Sequence, residues 1–192
     1  MTGVQTGALP ILAVAGTGGL SVVDMRAPSD APQLSDSCTD SGAEAVVLVE
    51  SDTYGERFYV ACSGGGVEYV TVDRSTVPVG ITSSEKISVN LGSGEAIGLA
   101  FVTGDSAVFD LIQDSSTYSI DRIPLSTSSG DSEMLGLGLT DTATAISVAW
   151  AGTPLVVARS DGFISEYTRS GEVYSTATTA PLFALGSLDD IL

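Results

Sequence analysis

The chain has 192 residues, of which 24 are acidic and 7 basic, giving a formal net charge of −17 with no histidine. Hydrophobic residues make up 43% and charged residues 16%, which excludes a disordered polyelectrolyte and suits one sizeable domain. A surface this acidic repels phosphates, which excludes nucleic acid as a partner and disfavours anionic membrane surfaces, and without histidine the commonest general base and metal ligand are missing.

Taken in chain order, the first segment reads Met1-Thr2-Gly3-Val4-Gln5-Thr6-Gly7-Ala8-Leu9-Pro10-Ile11. From Thr2 to Ile11 it resembles a translated sequencing adapter, whose usual reading has cysteine where Gly7 stands. The resemblance implies an artefactual leader over residues 1–11, which is set aside from fold reasoning. It also implies that the natural start, with any secretion signal, is missing. The compartment is then unknown, with an extracellular or periplasmic setting slightly favoured. No apolar run approaches the roughly 18 residues that a membrane span requires.

The remainder is a succession of short stretches rich in Val, Ile, Tyr, Phe and Thr, bounded by Gly, Ser, Asp or Pro, which read as strands. Residues 12–16 and 20–24 form a hairpin about Gly16-Thr17-Gly18-Gly19. Three fuller units follow, each of four strands: 45–49, 57–61, 67–72 and 86–90; then 96–102, 106–112, 117–123 and 134–139; then 145–150, 154–159, 163–168 and 172–176. Tight polar turns at 63–66, 114–116 and 160–162 join the second strand of each unit to the third. The period is marked by Val46, Ile97 and Ile146, 51 and 49 residues apart, each preceded by alanine. First strands are almost wholly apolar or small, as strands packed on both faces are. In the third strand at 67–72, Val67, Tyr69 and Thr71 alternate with Glu68, Val70 and Val72. Fourth strands are more polar, as outer edges are. No stretch has a sustained helical period with caps at both ends; residues 182–192 alone could become a short helix.

The run from Gly66 to Asp73 echoes that from Gly19 to Asp24: a glycine turn leads into a strand ending in Val-Asp. This resembles the repeat of the LVIVD family of bacterial and archaeal propellers, and more broadly WD40-like and YVTN-like propellers over most of residues 12–180. The later units depart from the Val-Asp pattern. The resemblance implies an all-β fold, a β-propeller of about four four-stranded blades, and a lone blade buries too little to stand without neighbours. The expected division is a partial blade at 12–44, blades at 45–95, 96–144 and 145–180, and a closing strand within 181–192. Such blades form either a closed four-bladed ring, with 181–186 beside 12–16, or an arc of a larger propeller. A β-sandwich is the alternative fold.

Catalytic chemistry is thinly signalled. There is no Gly-x-Ser-x-Gly elbow and no histidine for a triad. The glycine clusters lack both a following helix and a Walker lysine, so they read as hairpin turns. Cys38 and Cys62 either bond to each other or act as small buried hydrophobes. Asp36, Asp40, Asp105, Asp110, Asp131, Glu133, Asp189 and Asp190 read as solvated acids in or near turns. Glu50 and Asp52 follow a first strand, where the propeller resemblance implies a channel mouth, and are the candidate ligands for calcium; no other cofactor is expected. Trp150, Tyr54, Tyr118 and Tyr167 are candidate binding anchors, because aromatic side chains dominate binding hot spots. The expected function is a non-catalytic scaffold presenting loops to a protein or glycan. A calcium-dependent propeller hydrolase or lactonase is one alternative. A surface-layer or filament subunit, associating through exposed strand edges, is another.

Overall fold

The computed structural model describes residues 3–5, 11–30, 33–34, 38, 42–51, 55–63, 66–87, 94–103, 106–115, 117–125, 133–135, 143–148, 155–159, 163–170 and 173–181. Among these residues the regular structure is β-strand, with no α-helix. The first sheet holds β1 (Gly3–Gln5), β2 (Ile11–Gly16), β3 (Gly19–Asp24) and β4 (Gln33–Leu34). The second holds β5 (Ala43–Ser51), β6 (Gly55–Cys62), β7 (Gly66–Asp73) and β8 (Gly80–Ile87). The third holds β9 (Glu95–Val102), β10 (Ala107–Asp114), β11 (Thr117–Pro124) and β12 (Glu133–Leu135). The fourth holds β13 (Ala143–Val148), β14 (Leu155–Arg159), β15 (Phe163–Ser170) and β16 (Val173–Pro181). Across each sheet the strands lie in sequence order, the meander expected of a repeated four-stranded unit.

Two differences from the sequence reading have physical causes. The fourth strand of the second sheet is Gly80–Ile87 rather than 86–90, in register from Val67↔Ile87 to Asp73↔Gly80. Its Thr82-Ser83-Ser84-Glu85 core is polar because an outer strand faces water, and hydrophobic periodicity cannot find such a strand. In the first sheet, the position beside β2 is held by Gly3–Gln5, in register from Gly3↔Val14 to Gln5↔Leu12. An open strand edge offers unpaired N–H and C=O groups, and a short extended segment satisfies them whatever its origin. Residues 182–192, the expected closing strand or short helix, lie outside the described residues.

The chain forms two compact units: Met1–Ser88 with Glu95–Leu99, and Val89–Gly94 with Ala100–Leu192. In the first unit, alternation decides the core. Ile11, Ala13 and Ala15 of β2 and Leu20 and Val22 of β3 are buried, while Leu12, Val14, Ser21 and Val23 between them are less so. They pack against Val46, Phe58, Val60, Cys62, Val70 and Val72 of the second sheet. The same alternation puts Tyr59 and Tyr69 on the opposite face of that sheet.

Cys38 and Cys62 are bonded, with Cα atoms 5.1 Å apart, so the connection between β4 and β5 is tied to the end of β6. Beside the bridge, the Gly42 N–H donates to the Cys38 carbonyl at 2.8 Å, and the Ser63 N–H to the Gly42 carbonyl at 3.0 Å. Gly42 has a φ of +87°, and a Cβ there would lie 3.1 Å from the Thr17 Cα in the β2–β3 turn. Only glycine suits both demands.

In the second unit, Val108, Phe109, Leu111, Ile112, Ile120 and Ile123 fill the third sheet, and Leu155, Val157, Ala158 and Tyr167 are buried on the fourth.

Candidate functional site

Antiparallel pairing gathers particular residues at one end of the second sheet. Glu50 lies opposite Arg57, Ser51 opposite Glu56, Glu56 opposite Val72, and Asp73 opposite both Gly55 and Gly80. The β7–β8 connection, residues 74–79, lies at the same end, and Asp24 at the close of β3 reaches it.

Asp24 is the hub. Its residue is only 4% exposed, and its carboxylate accepts from the Arg26 N–H at 2.9 Å and from the Arg26 Nε at 3.0 Å on Oδ1. Oδ2 accepts from Arg26 Nη2 at 2.9 Å and from the Val79 N–H at 3.0 Å. The same guanidinium donates through Nη1 to the Arg74 carbonyl at 3.1 Å and through Nη2 to the Thr76 carbonyl at 2.6 Å. The Val-Asp ending of β3 therefore binds the first sheet to the β7–β8 connection of the second. The Arg26 hydrogen bonds hold the Asp24 carboxyl below its ordinary range, against the opposing effect of burial.

Asp73, the matching Val-Asp residue of β7, behaves differently. It accepts from the Ser75 N–H at 2.7 Å and the Ser75 hydroxyl at 2.9 Å, closing its own turn. These bonds lower its pKa. Nearby, Glu56 is 1% exposed and receives Arg74 Nη1 at 3.4 Å. Burial raises the Glu56 pKa and outweighs the attraction of Arg74, whose contact is long.

On the other face of the sheet, the Arg57 guanidinium carbon lies 5.7 Å from the centroid of the Tyr69 ring, within cation–π range. Tyr59 and Tyr69 are cross-strand partners with ring centroids 6.3 Å apart at 38°. Tyr59 is buried at 3% exposure, whereas Arg57 and Tyr69 are half-buried. Arg26, Arg57 and Arg74 are three of the chain's six arginines, so an acidic protein concentrates half of them at this end of one sheet or against it.

Of the residues singled out in the sequence, Glu50 falls at this end, opposite Arg57. Asp52, Tyr54 and Trp150 lie outside the described residues. Tyr118 is half-buried on β11, opposite Gln113. Tyr167 is 3% exposed and opposite Leu155, so it packs within the fourth sheet and is no exposed anchor. Among the described residues, no group of three or more Asp, Glu, Cys or His side chains could hold a metal ion. Sequence reading passed over Arg26, Arg57, Tyr69 and Arg74. The available signal was an arginine one or two places after each Val-Asp ending, in Asp24-Met25-Arg26 and Asp73-Arg74.

Asp110 corrects the sequence reading outright. It is no turn acid: it sits within β10, 0% exposed, directly opposite Asp121 of β11, itself 0% exposed. Asp36, Asp40, Asp105, Asp131, Asp189 and Asp190 lie outside the described residues.

Comparison with solved structures gives the fold as a β-propeller. The chain is similar to the β-propeller domain of Cps50 (Swd1) from Myceliophteria thermophila, with a TM-score of 0.60 and 10% identity over 88% of this chain and 55% of that one. It is also similar to a Bacteroides fragilis protein solved as a candidate 6-phosphogluconolactonase, with a TM-score of 0.59 and 12% identity over 94% of this chain and 54% of that one. The chain thus spans about half the length of each. No family model matches the chain, and no curated protein does. Among the described residues, no helix is long and apolar enough to cross a membrane.

Proposed function

We propose that the chain is a non-catalytic scaffold that binds a protein partner at the arginine-bearing end of its second sheet. The observation carrying this reading is the half-buried Arg57 stacked on Tyr69. Arginine and tyrosine are the residue types that dominate binding hot spots, because each combines a large contact area with directional polar groups. The surrounding charges are already engaged in structure. Asp24 and Arg26 hold two sheets together, and Asp73 closes a turn. Such an arrangement keeps the Arg57–Tyr69 pair in place without supplying a reacting group. A β-propeller domain among the similar structures is compatible with this use, although fold alone never decides function.

The test is a panel of immobilised synthetic peptides and glycans probed with the purified chain, with each binder re-measured against Arg57→Ala and Tyr69→Ala. Peptide binding weakened by about thirtyfold or more in both variants supports the reading, as a hot-spot loss of about 2 kcal/mol implies. Binding that both variants retain overturns it. Turnover of a lactone or phosphoester by the native chain would overturn it too.

A calcium-dependent hydrolase is the second reading, and one observation favours it: Glu50 lies at this same end, with Asp52 two residues on in sequence. Calorimetry with about 1 mM calcium tests it, a concentration at the weak end of protein calcium sites. Absence of heat removes this reading.

A further inference from the structure

Among the described residues, two large hydrophobic side chains stand in water: Met25, 52% exposed, and Val77, 60% exposed. They are far apart in sequence but flank one contact. The Arg26 guanidinium, next to Met25, donates through Nη2 at 2.6 Å to the carbonyl of Thr76, next to Val77. Exposed hydrophobics scattered singly are ordinary, whereas apolar side chains gathered on one surface mark a site of interaction. Exposed Pro28 and half-buried Pro78 extend the apolar surface along the same two connections.

Both connections are fixed before any partner arrives. The Ala27 N–H donates to the Asp24 carbonyl and the Asp30 N–H to the Ala27 carbonyl, each at 3.0 Å, so Met25 sits on the first of two consecutive closed turns. The Thr76 hydroxyl donates to the Pro78 carbonyl at 2.9 Å, and the Val79 N–H to Asp24 Oδ2 at 3.0 Å. A partner therefore does not bear the entropy of ordering these loops. Methionine and arginine are enriched at protein interfaces, and the flexible thioether of methionine fits surfaces of many shapes.

Charge selects the partner. Arg26 is balanced by Asp24 at 2.9 Å, and Arg74 by Glu56 at 3.4 Å. Exposed Asp30 and half-buried Asp73 add two further acids, and Asp73 is bonded to the uncharged Ser75. The local excess is thus negative, as it is over the whole chain at −17. A second copy of so acidic a chain is repelled, whereas a cationic segment is drawn in.

We propose that Met25 and Val77 form the apolar centre of a docking surface for a basic segment of another protein, one that carries large apolar side chains between lysines or arginines. The inference rests on the reading that this end of the second sheet binds protein, but not on the Arg57–Tyr69 stack, and it adds the contact residues and the charge of the partner.

The probes are synthetic peptides with a leucine–phenylalanine centre flanked by lysine and arginine, and a matched set flanked by glutamate, titrated into the full chain. The basic set is expected to bind, and to bind about fivefold or more weakly in Met25→Ser and in Val77→Ser, the loss that separates contributing interface residues from neutral ones. Binding should also weaken as salt rises from about 0.05 M to about 0.5 M, where screening shortens the reach of the acids. Both side chains are exposed, so serine leaves the core intact, and an unchanged urea midpoint serves as the folding control. Basic peptides that bind the native chain and both variants equally overturn the proposal, because the attraction would then be charge alone. Absence of binding by the basic set overturns it, as does equal binding by the glutamate set. Self-association of the unsubstituted chain in sedimentation that is lost in Met25→Ser also overturns it, because the occupant would then be a second copy. Arg57→Ala separates this surface from the stack: native-like binding of the basic set by Arg57→Ala, with loss in Met25→Ser and Val77→Ser, supports the surface and removes the stack. Loss in Arg57→Ala alone does the reverse.

Discussion

Breaking the Cys38–Cys62 bridge should cost the protein a definite and calculable amount. The bridge joins residues 24 apart in sequence, so the unfolded chain carries a closed loop of that length. In the chain-entropy account, a loop of about 25 residues removes roughly 12 cal/mol/K from the unfolded ensemble, or about 3.5 kcal/mol at room temperature. With a urea m-value of about 2 kcal/mol/M, that moves the unfolding midpoint down by about 1.7 M. The Cys38→Ala/Cys62→Ala chain should lose somewhat more than the reduced parent, because Cys62 packs with Phe58 and Val60 in the core and alanine is smaller. Urea unfolding of oxidised chain, reduced chain and double variant measures all three. Hydrogen exchange should show the earliest loosening at the Gly42 and Ser63 amides, whose bonds lie beside the bridge. Equal midpoints for oxidised and reduced chain would refute the reasoning, as would two free thiols in the native protein.

Three further substitutions separate the contributions within the first unit. Asp24→Ala leaves the Val79 N–H and the Arg26 guanidinium without their acceptor; an expected loss of about 2–3 kcal/mol is readable by thermal unfolding. In the unsubstituted chain the same carboxylate contributes stability above pH 3.8 that disappears as pH falls through its lowered folded pKa, so acid unfolding of Asp24→Ala should begin from a lower plateau with a shallower descent. Gly42→Ala forces a side chain into a left-handed conformation and toward the Thr17 Cα, and should cost about 1–2 kcal/mol in urea unfolding. Phe58→Ala empties a 0%-exposed site between the first two sheets, for which calorimetry should register a loss of about 3–5 kcal/mol.

Repetition made the strands legible. Apolar first strands, glycine turns and alternating third strands recur about every fifty residues, and all but the outermost strands lie where that pattern puts them. The outer strands were harder because a sheet edge facing water has no reason to be apolar; Thr82-Ser83-Ser84-Glu85 reads as a loop until its pairing with β7 is known. Candidate chemistry was less legible still. Tyr167 and Asp110 have the composition of exposed residues and are buried, because burial depends on which neighbouring strand lies opposite, and cross-strand register is invisible in one strand's sequence. Arg57 and Tyr69 are 12 residues apart in sequence and meet only through the β6–β7 pairing.

The two Val-Asp endings show why a repeated motif does not carry a repeated role. Asp24 and Asp73 close equivalent strands and both accept from the main-chain N–H two residues on. What differs is the side chain of that second residue. Arg26 is long enough to remain bonded to Asp24 while reaching the carbonyls of Arg74 and Thr76, so the turn becomes a link between two sheets. Ser75 ends at its own hydroxyl, and the turn at Asp73 stays local. In the Asp73 turn the arginine comes one position earlier, as Arg74, and is directed to Glu56 inside the same sheet. A shift of one position in the arginine therefore separates a residue that joins blades from one that stabilises a single blade, and exchanging Arg26 and Ser75 between the two turns should exchange those roles.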